Sequence, residues 1–513
     1  MEINRRSVAL RLGMYKSERK LAALQNPFPS IDPFFSCTPT ITMFARFIAF
    51  FHVLSLGAAT VISPSHVKTV IQRDVVILGG GASGAHAAVL LRDSGKTIAV
   101  VEKQDHLGGH VASYTDPITR KLYDYGVNSY TDSGKALEFF ARFNITVQSP
   151  VRRPLVTINA DFNTGRVTNY SAPASADTTT ALEKYLAICE MYKSMITPSY
   201  ANFPNTTAGI PEDLLLKFSD FVEKYNLRAA VPRIFQVTGL GMGNLANQTT
   251  LYVMQAFDAD LTRSLLGKVS SFVPVSGRKQ DLYDAIAKLL GDDVFLSSMA
   301  IETHRTDEGV EVLVRGADGQ LTLIRAKKLL IAFEPTLANL EGIDIDAKEK
   351  AVFSRWEWSH VHVGVVSHPS LRNGSSLANQ DPSKWLFLPE TPSVGRFDDL
   401  GDGYFRVLVT GPPDYNSCKA KSLVNRSLEK LADAGTISSL DAERIEYKAW
   451  SDHGPMHLRV SASDISDGRI TYQYELQGHR GTYYTGASYC AQFTTRVWEY
   501  NSRFLVPKLL AGP

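Results

Sequence analysis

The chain has 513 residues, 44% hydrophobic and 21% charged, with a formal net charge of +2. That length exceeds one simple domain, and the composition is that of an ordinary globular protein without a polyanion-binding charge run. Four cysteines, Cys37, Cys189, Cys418 and Cys490, show neither CxxC nor metal-ligand spacing, so no disulfide framework is indicated; free buried thiols are expected, with a single Cys189–Cys418 bridge as the alternative.

Residues 1–59 read as a leader. From Met43, MFARFIAFFHVLSLGAATVIS carries one charge at Arg46, an apolar core over 47–56, and small residues Gly57, Ala58 and Ala59. This is a secretory-signal pattern at 43–59, with Met43 as the expected start, and its core is short for a membrane span. Asn144, Asn169, Asn205, Asn247, Asn373 and Asn425 each begin an N-x-S/T sequon. The excess predicts an N-glycosylated protein of the secretory pathway, with no nucleic-acid or integral-membrane partner.

After a linker, Val75–Leu78 is a continuous apolar run, as in a buried parallel strand. Ser83–Asp93 reads as a helix stopped at Gly95, and Thr97–Val101 as the next strand. Residues 132–270 turn mainly helical, at 181–196, 211–227 and 250–257, with a hairpin at 155–170 turning on Asn163-Thr164-Gly165. A helix over 277–290 and strands at 293–297, 310–315 and 321–331 follow. Residues 350–450 mix strands with Pro/Gly loops, and GTYYTGASYCAQFTTRVWEYN joins a strand to a last helix.

Gly79, Gly81 and Gly84 form G-x-G-x-x-G between that first strand and helix. The first glycine permits the turn, the second leaves room for a pyrophosphate, and the third lets the helix pack on the sheet. Ala82 and Ser83 open the helix. Glu102, 18 residues beyond Gly84 at a strand end, suits an adenosine ribose and disfavours a 2′-phosphate. Lys103 follows it, and Gly108-Gly109 then returns the chain past the pyrophosphate.

The combination E-K-x-x-x-x-G-G resembles the flavin amine oxidase superfamily. VPRIFQVTGLGMGNLANQTTLYVMQAF, WSDHGPMHLRV and LQGHRGTYYTG narrow the resemblance to its β-cyclopiazonate dehydrogenase-like branch, over residues 72–510; the polyenoic fatty acid isomerases are more distantly similar. The resemblance implies non-covalent FAD. It places Gly126, Val127 and Asn128 by the isoalloxazine, Ala300 by the adenine, and Gly486 and Ala487 at the start of a closing helix meeting ribityl and phosphate groups. Thr494 and Thr495 fall by the pyrimidine edge. His110 stands where the family has an arginine.

An α/β fold is expected: a Rossmann-like FAD-binding domain from 72–131, 271–340 and 450–513, with an inserted helical and mixed-sheet substrate domain from 132–270 and 341–449. A flavin dehydrogenase needs a substrate C–H aimed at N5, and sometimes a base. No counterpart of the amine oxidases' N5 lysine stands out. Tyr252, Trp358, His360, His453 and Tyr484 are the pocket candidates, His453 foremost. His360 and His362 share a strand face, but without a matching carboxylate pattern no metal is expected. The expected function is an FAD-dependent oxidoreductase of specialised metabolism acting on a small apolar molecule, with oxygen as the expected acceptor. A redox-neutral double-bond isomerase, an amine oxidase and a non-enzymatic flavin-fold scaffold are the alternatives.

Overall fold

The computed structural model describes residues 67–151, 153–205, 209–438 and 445–511; the expected leader and signal lie outside them. In chain order, the elements that position the site are β1 (Thr69–Leu78), α1 (Ala82–Asp93), β2 (Ile98–Val101), β3 (Val156–Ala160), α2 (Ser175–Ile196), α3 (Phe218–Tyr225), α4 (Thr250–Ala256) and α5 (Gln280–Leu290). There follow β4 (Val294–Phe295), β5 (Met299–Arg305), β6 (Val310–Arg315), β7 (Leu321–Ile331), α6 (Ala347–Phe353), β8 (Glu357–Ser367), β9 (Ser375–Asn379), β10 (Ser393–Gly401) and β11 (Tyr404–Gly411). The chain closes with α7 (Ser417–Asp433), β12 (Glu446–Arg459), β13 (Thr482–Tyr484) and α8 (Thr494–Tyr500).

Two large sheets organise these elements. The first runs β5-β6-β7-β1-β2-β4, with β13 pairing with the end of β7. Its β4, β2, β1, β7 and β13 strands are parallel, and β5, β6 and β7 form an antiparallel meander. Val75–Leu78 and Ile98–Val101 are wholly buried, which is why they read as unbroken apolar runs. One parallel sheet is thus assembled from three separated segments. The second sheet runs β12-β8-β11-β10-β9-β3 and is antiparallel except for the β9–β3 pair. Helix α7 covers it through Val424, Leu428 and Leu431, while α2, α3 and α4 pack into the main core.

Three expectations need correction. The boundary at 450 is misplaced, because β12 pairs along β8 in the second sheet. The 155–170 hairpin turns where expected, but its second arm is one bridge, Ala160 to Val167, and β3 pairs in parallel with β9 instead. The turn docks on α7: Lys430 Nζ donates to the Asn163 carbonyl at 2.6 Å and Thr436 Oγ1 to that of Gly165 at 2.6 Å. The 211–227 helix breaks at Leu216–Lys217, which are extended so that Phe218 N–H donates to Gln248 O at 2.7 Å and Thr250 N–H to Leu216 O at 2.9 Å. Cys189 and Cys418 are not bridged, as the free-thiol reading expects, with Cys189 in the core and Cys418 exposed.

Candidate functional site

The glycine turn is set by contacts that a side chain would destroy. A Cβ at Gly84 would overlap the Gly79 carbonyl, and one at Gly126 would overlap the His110 carbonyl. Gly109, at φ +59, approaches Gly81 so closely that its Cβ would lie 3.0 Å from the Gly81 Cα. Gly108 N–H donates to Gly80 O at 3.0 Å, locking the two glycine turns face to face. Helix α1 begins at Gly81 with no side-chain cap and no acidic residue in its first turn. Its free amides therefore present partial positive charge, as a pyrophosphate requires.

Glu102 is buried at the end of β2. Its carboxylate accepts from Gly80 N–H at 2.6 Å and Gln104 N–H at 2.8 Å, which fixes the acid beside the turn. Lys103 is exposed. Ser298 N–H donates to the Glu102 carbonyl at 2.9 Å, so the start of β5, with Ala300, stands close to Glu102.

The closing segment arrives from 400 residues away and clamps α1. Trp498 Nε1–H donates to Ala82 O at 3.0 Å and Asn501 Nδ2–H to Ser83 O at 2.8 Å. The helix expected at Gly486 and Ala487 begins only at Thr494; Gly486 instead adopts φ +113, and a Cβ there would stand 3.9 Å from both Ser83 Oγ and Glu334 Oε1. Glu334 was not foreseen. Its Oε2 is buried without a hydrogen-bond partner, and burial pushes its carboxyl up to about 7, against the Ser488 hydroxyl and the Ala487 and Ser488 amides. Its signal in the sequence is an acid placed directly after the apolar run LLIAF.

Three expected contacts fall elsewhere. Thr495 is fully buried with its hydroxyl spent on Thr131 at 2.8 Å and Ser133 at 3.0 Å. Asn128 is exposed and accepts from Arg406, leaving Val127 half-buried beside it. Tyr484 O–H donates to Glu349 Oε1 at 2.6 Å within a buried ionic network, so it is a structural residue.

The structure brings His110 and His453 together from opposite ends of the chain. Their rings stack at 4.4 Å and 14°, and His110 Nε2–H donates to the His453 carbonyl at 3.1 Å. His453 is the unpaired residue between Asp452, opposite His362, and Gly454, opposite Val361. Such a bulge re-aims a side chain without ending the ladder. Burial, then the His110 charge, pull His453 well below the usual imidazole range, and its Nε2 is buried without a partner. It is a neutral ring with an uncommitted nitrogen.

A second bulge in β12, opposite Trp358, holds His457 at φ +55. Its amide donates to Gln492 Oε1 of the closing segment at 3.1 Å, and burial lowers its ring to about 3. Arg459 lies two residues on, largely buried, its NH1 donating to the His457 carbonyl at 3.0 Å. Tyr252 O–H accepts from Val460 N–H at 3.0 Å, and the Trp358 indole N–H is buried and unpartnered. His457 and Arg459 alternate in MHLRV, just past His453 in the same strand, which is the sequence signal for them.

A strand–glycine turn–helix with a buried acid after the next strand, a second glycine turn and a closing clamp define a Rossmann-type flavoprotein, and the residues present fit FAD. The family model described as an NAD(P)-binding Rossmann-like domain matches residues 77–143. Beta-cyclopiazonate dehydrogenase of Aspergillus flavus is 32% identical over 465 residues, covering 90% of this chain and 98% of that protein. FAD-dependent oxidoreductase dpchF of Colletotrichum higginsianum is 31% identical, over 89% of this chain and 97% of that one. The chain belongs to this family of FAD-dependent oxidoreductases. In fold it resembles a CLA-producing fatty acid isomerase from P. acnes (TM-score 0.62, 18% identity, 86% of this chain and 100% of that one). Cyclohexylamine oxidase from Brevibacterium oxydans also aligns (TM-score 0.56, 15% identity, 85% and 99%).

Proposed function

We propose that this enzyme desaturates, or closes a ring in, a small, largely apolar metabolite. FAD when bound supplies a two-electron acceptor. Held by the two glycine turns, it would take a hydride from a substrate carbon; Nε2 of His453 would accept the proton lost from the substrate, and the electron pair left behind would form the new double bond or ring bond. The observation that carries this reading is the His110–His453 stack, which sets an unpartnered neutral imidazole of the second sheet against the second glycine turn. Tyr252, bonded to Val460, and Trp358, opposite the second bulge, add aromatic surface with polar tips further along the same strand. The dehydrogenase name of the Aspergillus flavus relative supports the same chemistry.

Anaerobic mixing with candidate metabolites should bleach the flavin band, and His453→Ala should slow bleaching by about 10²- to 10⁴-fold while flavin stays bound. Unchanged reduction kinetics would remove His453 from the mechanism. Oxygen as the electron acceptor belongs to the same proposal: one dioxygen consumed per product supports it, and product formed without any oxygen uptake points to the double-bond isomerase. Purification as a colourless protein would favour the non-enzymatic scaffold.

We also place the protein in the secretory pathway. All six sequon asparagines are exposed, as glycan attachment requires. Among the described residues no helix is long and apolar enough to cross a membrane. A mobility shift of the secreted protein on enzymatic deglycosylation is expected; no shift would end this reading.

A further inference from the structure

We infer that His360, His362 and Asp452 form a site for a divalent transition-metal ion, zinc being the simplest. The carboxylate that the sequence pattern lacked is supplied by β12: Asp452 pairs directly across from His362, and their ligand atoms, with that of His360, all lie within 4.8 Å of one another. Each imidazole is fixed by its outer nitrogen. His360 Nδ1–H donates to the Pro413 carbonyl at 3.1 Å, and His362 Nε2–H donates to the Tyr415 carbonyl at 2.6 Å. A carbonyl can only accept, so in the neutral rings both inner nitrogens carry lone pairs. Those lone pairs face Asp452 Oδ1, at 2.7 Å from His360 Nε2 and 3.9 Å from His362 Nδ1.

Three acceptors converging on one point require positive charge among them. A proton on His360 satisfies one contact and leaves His362 Nδ1 as it stands, fully buried without a partner. A metal ion satisfies all three. Backbone carbonyls holding the outer N–H groups are the arrangement that orients metal-bound histidines. Closing the three atoms onto bonds of about 2.0–2.2 Å needs ring movements of roughly 1 Å. The His360 ring stacks on His362 at 4.9 Å, and His362 on Trp450 at 5.8 Å, which keeps both rings aligned for it. Asp452 is 44% exposed, so the fourth position opens outward to water or an oxygen ligand. Because Asp452 adjoins His453 in the chain, a bound ion would also pin the bulge that carries His453.

The test is zinc titration of the tag-free, FAD-loaded protein, with zinc, protein and flavin quantified after dialysis. The expected result is one zinc per chain, lost at least tenfold in affinity in Asp452→Asn and His360→Ala, with the flavin-to-protein ratio unchanged. The His360 side chain is 17% exposed where that of His362 is fully buried, so its variant keeps the test intact where His362→Ala fails to fold. Substoichiometric zinc, or equal binding by wild type and both variants, would overturn the site and leave a protonated His–Asp pair.

Discussion

Glu334 shows how one residue can set the protein's response to pH. Its carboxyl is held at about 7 by burial, against an ordinary value of 4.5. The folded flavin-free chain therefore keeps a proton that the unfolded chain has released, and stability falls as pH rises from about 4.5 to 7. The groups facing it are the Cys490 thiol and the Ser488 and Ala487 amides, none of which supplies a compensating positive charge. Glu334→Gln should flatten that window of the melting temperature–pH curve relative to wild type; parallel curves would show that the carboxyl is not titrating there. The histidines behave oppositely. His453 and His457 are held neutral by burial, so no activity limb near the usual imidazole value is expected from either, and a limb near 6.5 that vanished in His453→Gln would contradict the burial. Local sequence offered His110, His453 and an acid after LLIAF, but not the His110–His453 stack or the burial of Glu334 against 487–488, because each depends on neighbours more than 100 residues away.

At the level of elements, the parallel strands and α1 were legible because burial on both faces writes itself as Val75–Leu78 and Ile98–Val101. The G-x-G-x-x-G turn was legible because backbone contact forbids side chains there. What failed was any feature decided by a distant partner. The 211–227 helix carries a good amphipathic pattern, yet Leu216 and Lys217 give up helical bonds to pair with the 248–250 segment. The closing helix starts only at Thr494, and Gly486 turns at φ +113 where Glu334 faces the Ala487 and Ser488 amides. β12 reads as a strand beside a flavin motif, but its alternation only makes sense against β8. The turn itself gives a direct test: Gly84→Ala forces a Cβ into the Gly79 carbonyl, so α1 must move off the sheet. The variant should purify with little flavin, whereas Gly95→Ala, which meets nothing within 4 Å, should keep full flavin despite backbone strain of about 1 kcal/mol at φ +76. Equal flavin content in the two would refute the packing role of Gly84.

Across the whole molecule, the discontinuous domain is held by charge networks that bridge its segments. Arg496 of α8 binds Asp258 at 2.7 Å, Asp260, and Glu499 at 2.5 Å, tying the closing helix to the helical insertion. The other network is deeper. Arg305 of β5, 1% exposed, meets Glu349 of α6 through NH1 at 2.7 Å and NH2 at 2.9 Å, and Asp344 through Nε at 2.7 Å. Tyr484 of β13 adds its hydroxyl to Glu349, so the meander, α6 and the last strand of the flavin sheet share one buried pair. Such a pair is weak evidence of net stability, because desolvation offsets its attraction, but removing one partner strands the other charge. Glu349→Ala should therefore cost about 3–5 kcal/mol. Tyr484→Phe, which removes one hydroxyl donor to that carboxylate, should cost about 1.5–3 kcal/mol and leave flavin reduction unchanged. Denaturant titration and stopped-flow reduction of the same two variants check both halves: Tyr484→Phe slowing reduction would return that tyrosine to the active site, and a small Glu349→Ala loss would mean that the three segments are held by apolar packing alone.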